Sequence, residues 1–141
     1  MYYLKTESCF DSAHFLSGYE GKCSNIHGHR WRVVVEIGGE ALNGDRQTRG
    51  MLCDFSALKE ALRDETESLD HRLIIEKGSM KEALLNMLRE NGFNVTEVSF
   101  RPTAESFAKY FFDRMKMRGY SVKSTEVYET PVNYARYEEG L

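Results

Sequence analysis

The chain has 141 residues, a net charge of −3, 41% apolar and 29% charged residues, and only two prolines. One domain spanning residues 1–141 accounts for that length, and the mixture excludes a disordered or low-complexity chain. An acidic balance leaves no electrostatic footprint for nucleic acid, and no apolar run approaches the roughly 18 residues of a membrane span.

The amino terminus, MYYLKTESCF, has no basic stretch followed by an apolar core, so no secretion signal is expected. Cys9, Cys23 and Cys53 are odd in number and follow no framework spacing. That usage predicts a cytoplasmic protein with free thiols.

In chain order, residues 2–12 carry β-branched and aromatic side chains between charged ones and read as a strand. Ser17-Gly18-Tyr19-Glu20-Gly21-Lys22 has the composition of a loop. In residues 29–37, Trp31, Val33, Val35 and Ile37 alternate with Arg32, Val34 and Glu36, which predicts a strand with one buried face. After Gly38-Gly39 and a polar turn over 43–50, Met51-Leu52-Cys53 is expected to resume the sheet as an antiparallel hairpin. Asp54 either ends that strand or starts a helix.

Phe55, Leu58, Ala61 and Leu62 recur at helical spacing within 55–69. A second helix is predicted over 79–91, with Ala83, Leu84, Met87 and Leu88 as its stripe and Gly92 as its stop. A third runs from Thr103, a natural N-cap, to about Arg118, with Gly119 ending it. Strands over 120–128 and 133–137 follow. Strands at both ends with helices between predict an α+β fold, a four-stranded antiparallel sheet with its helices on one face.

All four histidines invite a chemical reading. His27-Gly28-His29, if extended, projects two imidazoles from one face, their Cβ atoms about 7 Å apart. Gly28 leaves the opposite face bare. His14 ends the first strand, where a hairpin can bring it to the same point. Three neutral imidazoles around one ion suit zinc with an open fourth position, although three imidazoles also suit iron or another divalent ion. The plainer possibility is a surface His-x-His with no ion.

Cys23 sits four residues before His27. A thiol beside a bound cation can act as base or nucleophile, or complete a closed His₃Cys site of purely structural kind. Cys9 and Cys53, in predicted strands, are read as small core residues. Asp70-His71 pairs a carboxylate with an imidazole, which can relay protons; the residues alone favour the plainer reading, a helix end and turn.

Taken together, Phe10-x-x-Ala13-His14, Cys23-x-x-x-His27-Gly28-His29, Asp54-Phe55, Leu69-Asp70-His71, Pro102-Thr103-x-Glu105 and Glu129-Thr130 resemble the 6-pyruvoyl-tetrahydropterin synthase superfamily, over about residues 2–137. The cysteine spacing resembles its 6-carboxy-5,6,7,8-tetrahydropterin synthase branch.

The resemblance implies zinc on His14, His27 and His29, Cys23 as catalytic base, Asp70 and His71 as proton relay, and Glu129 as pterin anchor. Glu105, in the first turn of a predicted helix, needs no more than a structural role. The implied reaction converts 7,8-dihydroneopterin triphosphate to 6-carboxy-5,6,7,8-tetrahydropterin, acetaldehyde and triphosphate, in queuosine and 7-deazapurine synthesis. Elimination without side-chain cleavage, giving a 6-pyruvoyl product, is the other branch.

The resemblance also implies a tunnelling-type fold whose sheets join into a barrel as trimers and hexamers, with the sites between subunits. The chain departs from the family pattern after His71, where Arg72-Leu73-Ile74-Ile75 leads into an extra helical segment, about 76–95.

Overall fold

The computed structural model describes residues 1–140. Two long strands, β1 (Tyr2–His14) and β2 (His27–Gly39), pair antiparallel along their whole length. β5 (Val122–Tyr128) continues from β2 and β6 (Tyr134–Tyr137) from β5, both antiparallel. These four strands are the antiparallel sheet that the alternation pattern predicts.

The sheet is larger, however. β3 (Arg72–Glu76) adds parallel to the end of β1, and β4 (Val95–Val98) adds parallel to β3, giving the order β4-β3-β1-β2-β5-β6. The four-stranded expectation is therefore corrected to a mixed six-stranded sheet. The helix expected over 79–91 is present as Glu82–Glu90, here α2, between the two added strands, while the rest of the 76–95 segment is turn and strand. A run as short as Leu73-Ile74-Ile75 has the same appearance in a buried strand and in a helix, which is why its pattern misleads. The hairpin expected at 51–53 is also absent. Residues 40–54 form a loop closed by main-chain bonds from Asn43 to Met51 and from Gly50 to Asn43.

Helices α1 (Phe55–Glu67) and α3 (Ala104–Met117) cover one face of the antiparallel strands. Each starts as its cap residue dictates: Asp54 accepts from the Ser56 amide and Thr103 from the Ser106 amide. Leu58 and Leu62 of α1, and Phe107, Phe111 and Met115 of α3, meet Phe10, Trp31, Val33 and Val35 of the sheet. Glu65 of α1 is almost fully buried, yet its carboxylate is satisfied by Arg114 Nε at 3.0 Å and Arg118 Nε at 2.8 Å, which binds the two helices together.

The one-face expectation also needs correction. Ile74 joins the core beneath α1 and α3, and its register partner is His14. Leu73 and Ile75 project to the other side, where they pack with Leu85, Leu88 and Val95. α2 thus covers the face opposite α1 and α3, at the β3–β4 end. Among the described residues, no helix is long and apolar enough to cross a membrane.

Candidate metal centre and active site

The antiparallel register sets His14 directly opposite His27 and Ser12 opposite His29. Period-two geometry then puts all three imidazoles on the helix-covered face, at the end of the β1–β2 hairpin. Their ring centroids lie 4.6, 5.0 and 5.1 Å apart. Trp31, fully buried, forms the floor, meeting His14 edge-on at 4.9 Å and His29 at 5.3 Å.

Two main-chain carbonyls determine the tautomers. His14 Nδ1 lies 2.7 Å from the Pro102 oxygen, and His27 Nδ1 lies 2.7 Å from the Asn25 oxygen. A carbonyl only accepts, so both Nδ1 atoms carry the hydrogen and both neutral rings present a bare Nε2 lone pair. Those two Nε2 atoms face each other at 3.1 Å. Neither ring in this neutral tautomer can donate to the other, and two converging lone pairs suit a shared cation. His29 Nε2 is buried and makes no hydrogen bond: Glu129 Oε1 stands 3.1 Å away, but off the donor direction.

Donor atoms of His14, His27, His29 and Glu129 all lie within 4.8 Å of one another. Nitrogen donors of this kind with one carboxylate fit a divalent transition metal, zinc included. The carbonyl bonds to the two Nδ1 atoms are the outer contacts that orient such ligands. Burial, the largest influence, lowers the pKa of His14 to about 4 and also lowers that of His29, so both are neutral and ready to bind near pH 7.

The other sequence-marked residues lie around this cluster. Asp70 and His71 form a pair, with His71 Nδ1 donating to Asp70 Oδ2 at 2.7 Å. The other Asp70 oxygen accepts from the Asp11 amide at 2.8 Å, and the Asp11 carbonyl accepts from the His71 amide at 2.7 Å. The pair is thereby pinned to β1. His71 holds a left-handed φ of 55°, uncommon for a side-chain-bearing residue. Its ring is largely solvent-exposed, and the Asp70 carboxylate raises its pKa.

His71 and His29 line one cleft of about 640 Å³, walled by Leu88 and Phe93 from the α2 segment. Glu129 and Tyr128 line a second, of about 480 Å³, on the other side of Gly28. Cys23 is partly buried in a short 3₁₀ turn, Lys22–Ser24, and is not in the donor group. Glu105 is exposed in the first turn of α3.

Sequence reasoning did not anticipate that Glu129 would stand beside the imidazoles. It also missed the carbonyl that orients His14, because Pro102 is 88 residues away and no side chain marks it. Asn25, two residues before His27, was open to notice as a local turn partner.

Residues 3–140 match the family model described as 6-pyruvoyl tetrahydropterin synthase. The chain belongs to this family. It is 33% identical over 142 residues to the 6-carboxy-5,6,7,8-tetrahydropterin synthase of Haemophilus influenzae, covering 99% of this chain and 100% of that one. The enzyme of the same name from Aquifex aeolicus is 32% identical, covering 84% of this chain and 76% of the relative.

Among solved structures, a Wolinella succinogenes protein superposes with a TM-score of 0.80 at 22% identity, covering 99% and 98% of the two chains. The 6-pyruvoyl tetrahydropterin synthase of Plasmodium vivax superposes at 0.72 and 23%, with the same coverage. These two likenesses establish the fold. The family and the full-length curated relatives identify an enzyme that acts on pterins.

Proposed function

We propose that the chain is a zinc-dependent lyase that converts 7,8-dihydroneopterin triphosphate to 6-carboxy-5,6,7,8-tetrahydropterin, acetaldehyde and triphosphate, a step toward queuosine and related 7-deazapurines. The observation that carries this reading is the convergence of three imidazole nitrogens, one ring buried and two half-buried, two with tautomers set by carbonyls, in a chain whose full-length relative is named for that activity. A bound zinc ion supplies Lewis-acid polarisation of the substrate's side-chain oxygens.

The residues of the chain supply the rest. His14, His27 and His29 hold the ion through Nε2. Asp70 keeps the proton on His71 Nδ1 and leaves His71 Nε2 free to give or take one, while Cys23 is the base. Glu129 accepts from the pterin ring N–H and its exocyclic amine, a bidentate fit for one carboxylate. Its position 3.1 Å from His29 also allows a ligand role, and Glu129→Gln separates the two: a pterin anchor raises KM at unchanged zinc affinity, whereas a ligand loses zinc.

The reading includes self-association. β3 covers β1 only at Ser12–His14, so the outer edge of Tyr2–Phe10 is open, and β6 has one neighbour. Open edges of this length invite pairing with further copies of the chain. The exposed ring of His71 suits a site completed between subunits. Light scattering of the purified protein should return a trimer or larger assembly. The unpaired cysteines fit a reducing cytoplasm.

The deciding assay gives zinc-loaded protein the triphosphate substrate and measures acetaldehyde and pterin product together. Acetaldehyde with the 6-carboxy product supports the proposal, and a 6-pyruvoyl product without acetaldehyde replaces it with the other branch. No turnover at full zinc occupancy rejects both. A closed His₃Cys structural site is disfavoured because the fourth donor beside the imidazoles is Glu129, not Cys23.

A further inference from the structure

The segment between the metal-binding strands, residues 15–26, carries Cys23 but belongs to no strand. Besides local turn bonds, a main-chain bond from the Leu16 amide to the Cys23 carbonyl at 2.9 Å ties its two arms together. A second anchor comes from far along the sequence. Arg101 is partly buried, and its Nη2 donates to the Ser17 carbonyl at 3.0 Å rather than to a carboxylate. Its guanidinium carbon lies 5.8 Å from the centre of the Tyr19 ring, at the outer range of a cation–π contact. The Tyr19 ring in turn lies against Gly21, where a Cβ would come within 2.8 Å of Tyr19 Cε1. Gly21 has a φ of 152° and directly precedes the turn that holds Cys23. The next residue after Arg101 is Pro102, whose carbonyl orients His14.

We propose that Arg101 is a positioning residue for Cys23. Through Ser17, Tyr19 and Gly21 it fixes the thiol's loop against the same dipeptide that orients the first metal ligand, so thiol and metal share one reference frame. Arginine suits the role because one planar group can donate to a carbonyl along its edge while presenting a face to an aromatic ring. The proposal rests on the assignment of Cys23 to catalysis made above.

The test uses the zinc-loaded protein carrying Cys9→Ser and Cys53→Ser, which leaves Cys23 as the one cysteine of the 141 residues. Arg101→Met, Arg101→Lys and Tyr19→Leu are compared with that parent. Arg101→Met should lower kcat about tenfold or more, the scale expected of a misplaced catalytic group, with KM and zinc content near the parent's. The same change should speed amide exchange across 15–26 and alter the rate at which iodoacetamide alkylates Cys23. Arg101→Lys, which keeps a donor for Ser17 but not the planar face, should fall between. Tyr19→Leu should loosen the loop in the same direction without touching Arg101. Unchanged exchange and alkylation in Arg101→Met would overturn the proposal, as would loss of zinc in proportion to activity. If the parent itself turns over no substrate, the functional reading fails, while exchange and alkylation still decide whether Arg101 holds the loop.

Discussion

His14 and His71 are the same residue type, each donating its Nδ1 hydrogen at 2.7 Å to an oxygen. Their surroundings drive them apart. His14 is buried and its partner is a neutral carbonyl, so desolvation prevails and its pKa falls to about 4. His71 is exposed and its partner is a carboxylate, so its pKa rises. One ring is kept neutral as a lone-pair donor, the other kept ready to carry a proton. The pairing partner and the depth of burial, not the imidazole itself, separate a ring suited to a metal from one suited to acid–base work.

The largest test removes a member of the imidazole cluster. His27→Ala should take zinc content well below stoichiometric and lower kcat/KM roughly 10³-fold or more, since the ion's charge stabilisation amounts to several kcal/mol. Metal analysis alongside kinetics checks it, and full zinc retention would show that the cluster is not the binding site.

The second test uses pH on the metal-free protein. Below 6.5 an unfolded chain takes up protons that native His14 refuses until about pH 4. Stability should therefore fall as pH drops through that window, by up to about 3 kcal/mol from His14 alone, with His29 adding in the same direction. His71 works oppositely: its raised pKa contributes stability below 6.5 that is lost as pH rises through the folded value. Denaturant midpoints from pH 4 to 7 read the sum, and stoichiometric zinc should steepen the acid side, because protons then compete with the ion.

Asp70→Asn addresses the exposed ring. Without the carboxylate, the His71 pKa should return toward its ordinary value and kcat should fall about 10²-fold, within the range of general acid–base effects, while zinc content stays unchanged. Titration of the His71 ring by NMR gives the first readout. If it titrates as before, another group controls it.

The contrast also explains what could be read in advance. His14, His27 and His29 were legible as one cluster because strand periodicity and a single hairpin sufficed to bring them together. The caps Asp54 and Thr103 were legible because capping is local. β3 and β4 were not. Leu73-Ile74-Ile75 is too short to show a period, and parallel pairing with β1 depends on a partner sixty residues away in the chain. Because the strand was missed, so was α2's seat on the opposite face, since the side a helix covers follows from which of Leu73 and Ile74 points where. The oxygens that orient the imidazoles belong to the main chain, and composition carries no sign of them.

The smallest test asks whether the buried ring depends on a side chain at all. His71 can be altered through Asp70, but the partner of His14 is the Pro102 carbonyl, which mutation can reach only through its neighbours. Thr103 is the nearest of these: its hydroxyl accepts from the Ser106 amide at 3.2 Å and caps α3 one residue after that carbonyl. Thr103→Ala should cost about 1 kcal/mol, as an N-cap does, and lower Tm by several degrees. Zinc affinity should hold, because Pro102 is itself buried. A parallel fall in zinc affinity would mean that the α3 cap and the His14 carbonyl move as one unit. The buried imidazole would then depend on side-chain chemistry as much as the exposed one does, only one residue further removed.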